Sequence, residues 1–146
     1  MKGEEYMFES LQLPKAFWVS IIIGYAFCLL SFFVLVTATL DPLAPNHVLN
    51  NHATTKLTSI RLAILTFGLV SILFTLKYSL TYAKYVTVAL TAWAIAMYVD
   101  DHFVLYNMVE YPEGGVISLV QSLRPIFIIS LIWMCFELTF SPHLTD

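Results

Sequence analysis

AFWVSIIIGYAFCLLSFFVLVTATL, residues 16–40, runs for 25 residues without a charged side chain. An α-helix needs about 20 apolar residues to cross the hydrocarbon of a bilayer, so this stretch is long enough to span one. A secretory leader is the competing reading, because Val36, Thr37 and Ala38 end the run in small residues. Its length argues otherwise, since the apolar part of a leader is only about 7–15 residues. An uncleaved membrane helix is the expectation.

Outward from that run the chain repeats the pattern. Asp41, Pro42 and Pro45 stop the first span, because proline lacks the backbone donor a continuing helix needs. A polar loop over residues 41–56 follows, with Asp41, His47, Asn50, Asn51, His52 and Lys56. A second span is expected over 57–77, with Arg61 and Lys77 snorkelling toward opposite interfaces. A tight connection from Tyr78 to Lys84 leads to a third span over 85–108. A loop with Glu110, Pro112, Glu113, Gly114 and Gly115 precedes a fourth, over 116–140, interrupted by Arg124 and Pro125. Each run is almost continuously apolar, whereas the strands of a membrane barrel alternate polar and apolar residues. The expected fold class is all-α: one polytopic integral membrane domain, a bundle of four transmembrane helices over residues 1–146.

Composition agrees. Hydrophobic residues make up 59% of the chain and charged residues 12%, far from the quarter-charged mix of an ordinary soluble domain. The net charge of −3 includes no basic block, which excludes the electrostatic footprint of a nucleic-acid binder. There is no glycine loop for a nucleotide, no GxSxG elbow and no CxxCH haem site. The enzyme reading is therefore the less favoured one. Cys28 and Cys135 both lie inside apolar runs, where a thiol behaves as a small hydrophobe.

The residues out of place are Tyr98, Asp100, Asp101 and His102, near the end of the third span. Ionisable groups at bilayer depth cost a few kcal/mol each unless paired or wetted, which makes them candidates for function. Counting 1.5 Å per residue from the helix end puts Asp100 about 12 Å in, and Arg124 at a similar depth on the antiparallel fourth span. Arg124 is expected to pair with Asp100 or Asp101, in a buried charge cluster that takes in Tyr98, His102 and, as the other cation on that side, Arg61. One arginine leaves a residual acid beside His102, the setting of a proton or metal site. No cofactor is expected outright. Were a metal held, His47, His52, His102 and Asp101 are the candidate ligands, although no HExxH or ExxH spacing supports them.

Small and hydroxylated residues define packing faces. Ser20, Gly24 and Cys28 form a ladder of small residues on the first span, Gly68, Ser71 and Thr75 do so on the second, and Thr87 and Thr91 lie on one face of the third. Aromatics near the ends, among them Phe17, Trp18, Tyr78, Tyr82, Tyr85 and Phe103, suit interfacial anchoring. Glu137 is expected to pair with Lys15, Lys77 or Lys84.

The leading functional expectation is a membrane protein that acts by association, as an accessory subunit of a larger complex or a homo-oligomer. Its partners are then the lipid bilayer and other membrane subunits or itself, with no nucleic acid or nucleotide. The alternatives are a proton, cation or small-solute transporter or channel built on Asp100, Asp101 and Arg124, and a metal-binding membrane enzyme or subunit. Lys2, Lys15, Lys77 and Lys84 against Lys56, Arg61 and Arg124 place both termini in the cytoplasm. A bacterial inner membrane is the expected location, in keeping with the absence of an N-glycosylation sequon.

Overall fold

The computed structural model describes the backbone of residues 13–39, 48–105 and 115–140, and side chains within 13–36, 56–103 and 119–140. Four long helices account for nearly all of it. Helix α1 runs Lys15–Thr39, α2 Val48–Tyr78, α3 Leu80–Asp100 and α4 Gly115–Phe140. A π-helical turn, Asp101–Leu105, continues α3. Four segments of 22 to 24 residues, one in each of α1, α2 and α4 and one running from α3 into the π-turn at Phe103, are long and apolar enough to cross a bilayer.

α1 begins where Pro14 leaves its carbonyl to accept from the Phe17 amide at 2.9 Å, an arrangement that fits proline at a helix start. α2 begins earlier than the sequence suggested. Residues 48–56, expected in the polar loop, are helical. Beyond Pro45 no proline or glycine interrupts them, and polar side chains alone do not end a helix whose backbone bonds to itself.

The second connection is also shorter than expected. Only Ser79 separates α2 from α3, where a link from Tyr78 to Lys84 was anticipated. Ser79 is extended, with φ −163° and ψ 125°. Its amide still donates to Thr75 O at 2.8 Å, and its carbonyl already accepts from the Ala83 amide at 3.1 Å. The two helices thus share one junction residue. Lys84 marked the limit of apolarity rather than the limit of the helix, because a lysine stem lies along apolar surface while its head leaves it.

The helices form a ring, α1 against α2, α2 against α3, α3 against α4, with α4 closing on α1. Neighbours run antiparallel. Arg61 meets Asp101 while Gly68 meets Leu90 across α2 and α3. Across α3 and α4, Asp101 meets Arg124 while Thr91 meets Cys135. In each pair the position rises on one helix as it falls on the other.

Inside the ring, Phe17, Leu69, Ile72, Phe127, Leu131 and Met134 are fully buried. Phe27 stacks on Phe127 with centroids 4.6 Å apart. Phe17, expected at an interface, belongs to this core, with Trp18 edge-on to it at 5.6 Å. Ser20, Gly24 and Cys28 all face inward. A Cβ on Gly24 would lie 3.1 Å from Leu69 Cδ1, so glycine there permits α2 to approach. Gly68 is tighter still, with Leu90 Cδ1 standing 2.5 Å from where its Cβ would be. Ser71 departs from the expected packing face. It is exposed, and its hydroxyl donates to Phe67 O at 2.7 Å. Thr75, half-buried, donates to Ser71 O at 2.7 Å.

Two threonine hydroxyls inside the bundle are satisfied the same way, whereas Ser31 Oγ is buried with no partner among the described residues. Thr87 Oγ1 donates to Ala83 O and Thr91 Oγ1 to Thr87 O, each at 2.7 Å, so these threonines pack without an unmet donor. Thr91 Oγ1 also lies 3.1 Å from Cys135 Sγ, which joins α3 to α4.

Candidate functional site

α3 presents Ala83, Thr87, Leu90, Thr91 and Ala94 to the core. Steps of three and four along a helix keep to one face, and continuing them from Ala94 reaches Tyr98 and then Asp101. The Asp101 carboxylate is therefore carried inward by the same periodicity that buries the threonines. It is 2% exposed.

Two cations meet it there, one from each flanking helix. Arg61 Nη1 of α2 bonds Asp101 Oδ1, and Arg124 Nη1 of α4 bonds Asp101 Oδ2. Arg61 Nη2 also stands 3.7 Å from Asp100 Oδ2. The guanidinium side chains are 15% and 21% exposed, whereas Asp100 is 49% exposed. Two arginines and two aspartates make a neutral group. The expectation that an acid would remain uncompensated thus fails, because Arg61 turns inward rather than snorkelling to the interface. Its buried Nε has no acceptor among the described residues, a cost that the pairing with Asp101 offsets, since a buried carboxylate with one cation fewer would cost more.

Tyr98 and His102 frame the cluster. Tyr98 has the Arg124 guanidinium 5.6 Å from its ring centroid and the His102 ring 4.2 Å away. The cationic face over an aromatic ring is a favourable electrostatic contact. His102 Nδ1 lies 2.9 Å from Tyr98 O. A carbonyl only accepts, so the Nδ1 tautomer is the one that makes this bond. The π-turn starts at Asp101, and such turns are frequent at functional positions in helices.

Chemically, the carboxylate is held at both oxygens by charge-assisted hydrogen bonds. In that state it ties three helices together, with a guanidinium against each of its oxygens. A metal ion on Asp101 would be a third cation beside Arg61 and Arg124, and repelled by both. Among the described residues no group of three or more His, Cys, Asp or Glu side chains could hold a metal. His47 and the side chain of His52 lie outside the described residues, as does Asp41.

At the opposite end of the bundle, no ion pair joins Glu137 to Lys15, Lys77 or Lys84 among the described residues. The expected pairing is absent there. One feature that sequence reasoning passed over is the outer face of α3, where Ala89, Ala92 and Ala96 are exposed in line with Asp100. The signal was present in their spacing of three and four, opposite the threonine face. Comparison with known proteins adds no constraint, since no family model, no curated protein and no solved structure matches the chain.

Proposed function

We propose that this chain is an integral membrane protein whose four helices cross the bilayer, and that it acts by association, as a small accessory subunit or a homo-oligomer. One observation carries the reading, the division of α3 into two faces. Its polar residues Thr87, Thr91 and Asp101 point inward and are satisfied within the bundle. Its small residues Ala89, Ala92 and Ala96 point outward. Lipid tails are as apolar as any helix surface, so helices associate in membranes where small side chains permit close backbone approach. An outward row of alanines between the exposed Tyr85 and Phe103 has that shape.

The neutral cluster favours this reading over transport. Ion coupling needs a group whose charge is left for the passing ion, and here each arginine already faces a carboxylate. In this reading both termini face the cytoplasm of a bacterial cell, with the lysine-rich Ser79 end inward.

Particle mass in lipid nanodiscs prepared from native membranes tests the proposal. The expected result is a mass above one chain, with Ala92→Cys chains forming disulfide dimers, or adducts to another subunit, in a background of Cys28→Ala and Cys135→Ala. A monodisperse monomer with no copurifying chain would end the association reading. Proton or cation flux in liposomes that Asp101→Asn abolishes would favour transport instead.

A further inference from the structure

One cation is shared by two acids of different burial. Arg61 Nη1 bonds Oδ1 of the buried Asp101, while its Nη2 stands 3.7 Å from Oδ2 of the half-exposed Asp100, just beyond the reach of about 3.2 Å at which an N–H bonds an oxygen. The Asp100 carboxylate accepts no hydrogen bond among the described residues. The two acids leave α3 on different faces. Asp101 belongs to the inward series of Thr87, Thr91 and Ala94, whereas Asp100 lies in line with the exposed Ala89, Ala92 and Ala96. Arg61 is therefore drawn inward by one and outward by the other. Its inward position leaves Nε buried with no acceptor among the described residues, and a buried donor so placed bears its full desolvation cost. Outward movement would wet that N–H, and the long stem of an arginine lets its head reach either place from one Cα. Arg124 differs, since among the described residues Asp101 is the one acid it pairs with.

We propose that Arg61 is a two-position latch between Asp101 and Asp100. In the inner position it joins Arg124 on Asp101, so that one buried carboxylate ties α2, α3 and α4 together. In the outer position it bonds Asp100, its Nε reaches water, and Asp101 is left to Arg124 alone. The inner position is the lower in energy, because the outer one takes a cation from a buried carboxylate. The bond to Asp100 and the wetted Nε return part of that difference and keep the outer position within reach. A cation that comes to Asp100 along the exposed face of α3 takes the outer place from Arg61 and holds the latch inward, since a competitor shifts the balance by favouring one state over the other. The latch is a property of this chain alone and does not depend on how the chain associates.

The chain has two arginines, Arg61 and Arg124, so arginine labelled with nitrogen-15 gives two Nε–H signals, told apart in an Arg124→Lys chain. Hydrogen exchange of these signals in the full chain, held in micelles at one pH, tests the latch, because the Arg61 Nε–H meets water in the outer position. Asp100→Asn removes the charge that stabilises that position, and exchange at Arg61 should slow by about threefold to fivefold, the worth of a partly exposed ion pair. Ala96→Lys sets an ammonium one helical turn from Asp100 on the exposed face, and exchange should slow there too. Losing a negative charge or gaining a positive one would by itself hasten exchange catalysed by hydroxide, so slowing reports where the side chain sits. The Arg124 Nε–H, whose partner is Asp101 in either position, should keep its wild-type rate. Unchanged or faster exchange at Arg61 in either variant overturns the proposal. Slowing of both arginines together overturns it as well, since that would report a tighter bundle and not a moving side chain.

Discussion

Asp101 is the residue on which three helices converge, and its neighbourhood decides what each change there costs. Removing its charge in Asp101→Asn leaves Arg61 and Arg124 largely buried without their carboxylate. Breaking one side of a buried pair costs about 3–5 kcal/mol, and a loss of that size is expected in the unfolding free energy measured by denaturant titration in mixed micelles. Asp100→Asn should cost far less, because Asp100 is half-exposed and only 3.7 Å from Arg61 at its nearest. If the two substitutions proved equal, the burial of Asp101 would not be the source of its contribution. Replacing the whole tie, with Arg61→Met, Asp101→Leu and Arg124→Met together, should recover most of the stability lost in Asp101→Asn, since no buried charge then lacks a partner. Further loss in the triple variant would contradict the account of the cluster as a structural tie.

At the scale of the element, α2 and α3 pack closely at Gly68, where the Leu90 side chain fills the space a Cβ would take. A methyl group at that position meets the Leu90 side chain at 2.5 Å, so Gly68→Ala must push Leu90 out of its place in the core. Overpacking of this kind costs about 1–3 kcal/mol. Gly24→Ala, where Leu69 Cδ1 stands at 3.1 Å, should cost less. The diagnostic measurement is the double variant Gly68→Ala, Leu90→Ala. Its destabilisation should fall short of the sum of the single changes, because the smaller residue at 90 makes room for the methyl group. Additive effects would mean the two side chains do not compete for one volume. The Ser79 junction belongs to the same scale. Its hydroxyl makes no cap bond, so Ser79→Ala is expected to leave the unfolding midpoint within about 0.5 kcal/mol of wild type. A larger loss would assign that hydroxyl a role the backbone bonds at Ser79 do not suggest.

For the whole molecule, the charged side chains among the described residues divide between a closed end, where cations and carboxylates pair, and an open one. The closed end is neutral at its core, and it holds α2, α3 and α4 in register. The open end presents lysines and tyrosines to whatever borders it. The proposed cytoplasmic placement of the Ser79 corner rests on this asymmetry. Cysteines introduced at Lys77 and at Lys56, each in the cysteine-free background, should react with a membrane-impermeant maleimide from opposite faces of sealed vesicles. Labelling of both from the same face would rule out the antiparallel crossing of α2.

The number of helices and their apolar extents were legible in the residues alone, because a run such as 16–40 without a charge has few environments in which it is stable. That Arg124 meets one of the two aspartates was legible too, since antiparallel helices at 1.5 Å per residue bring matching depths together, but only the structure chose Asp101 over Asp100. The direction taken by Arg61 was not. Its depth fits both snorkelling to an interface and pairing inward, and the choice depends on whether α3 offers a carboxylate on the facing side. Nor did polarity locate the helix ends at Val48 and Leu80, because backbone hydrogen bonding continues beyond the apolar residues that a bilayer requires. The alanine face of α3 became an outer surface only when the threonine face was seen to be filled by α4. Periodicity assigns residues to faces of a helix, and only packing decides which face is covered.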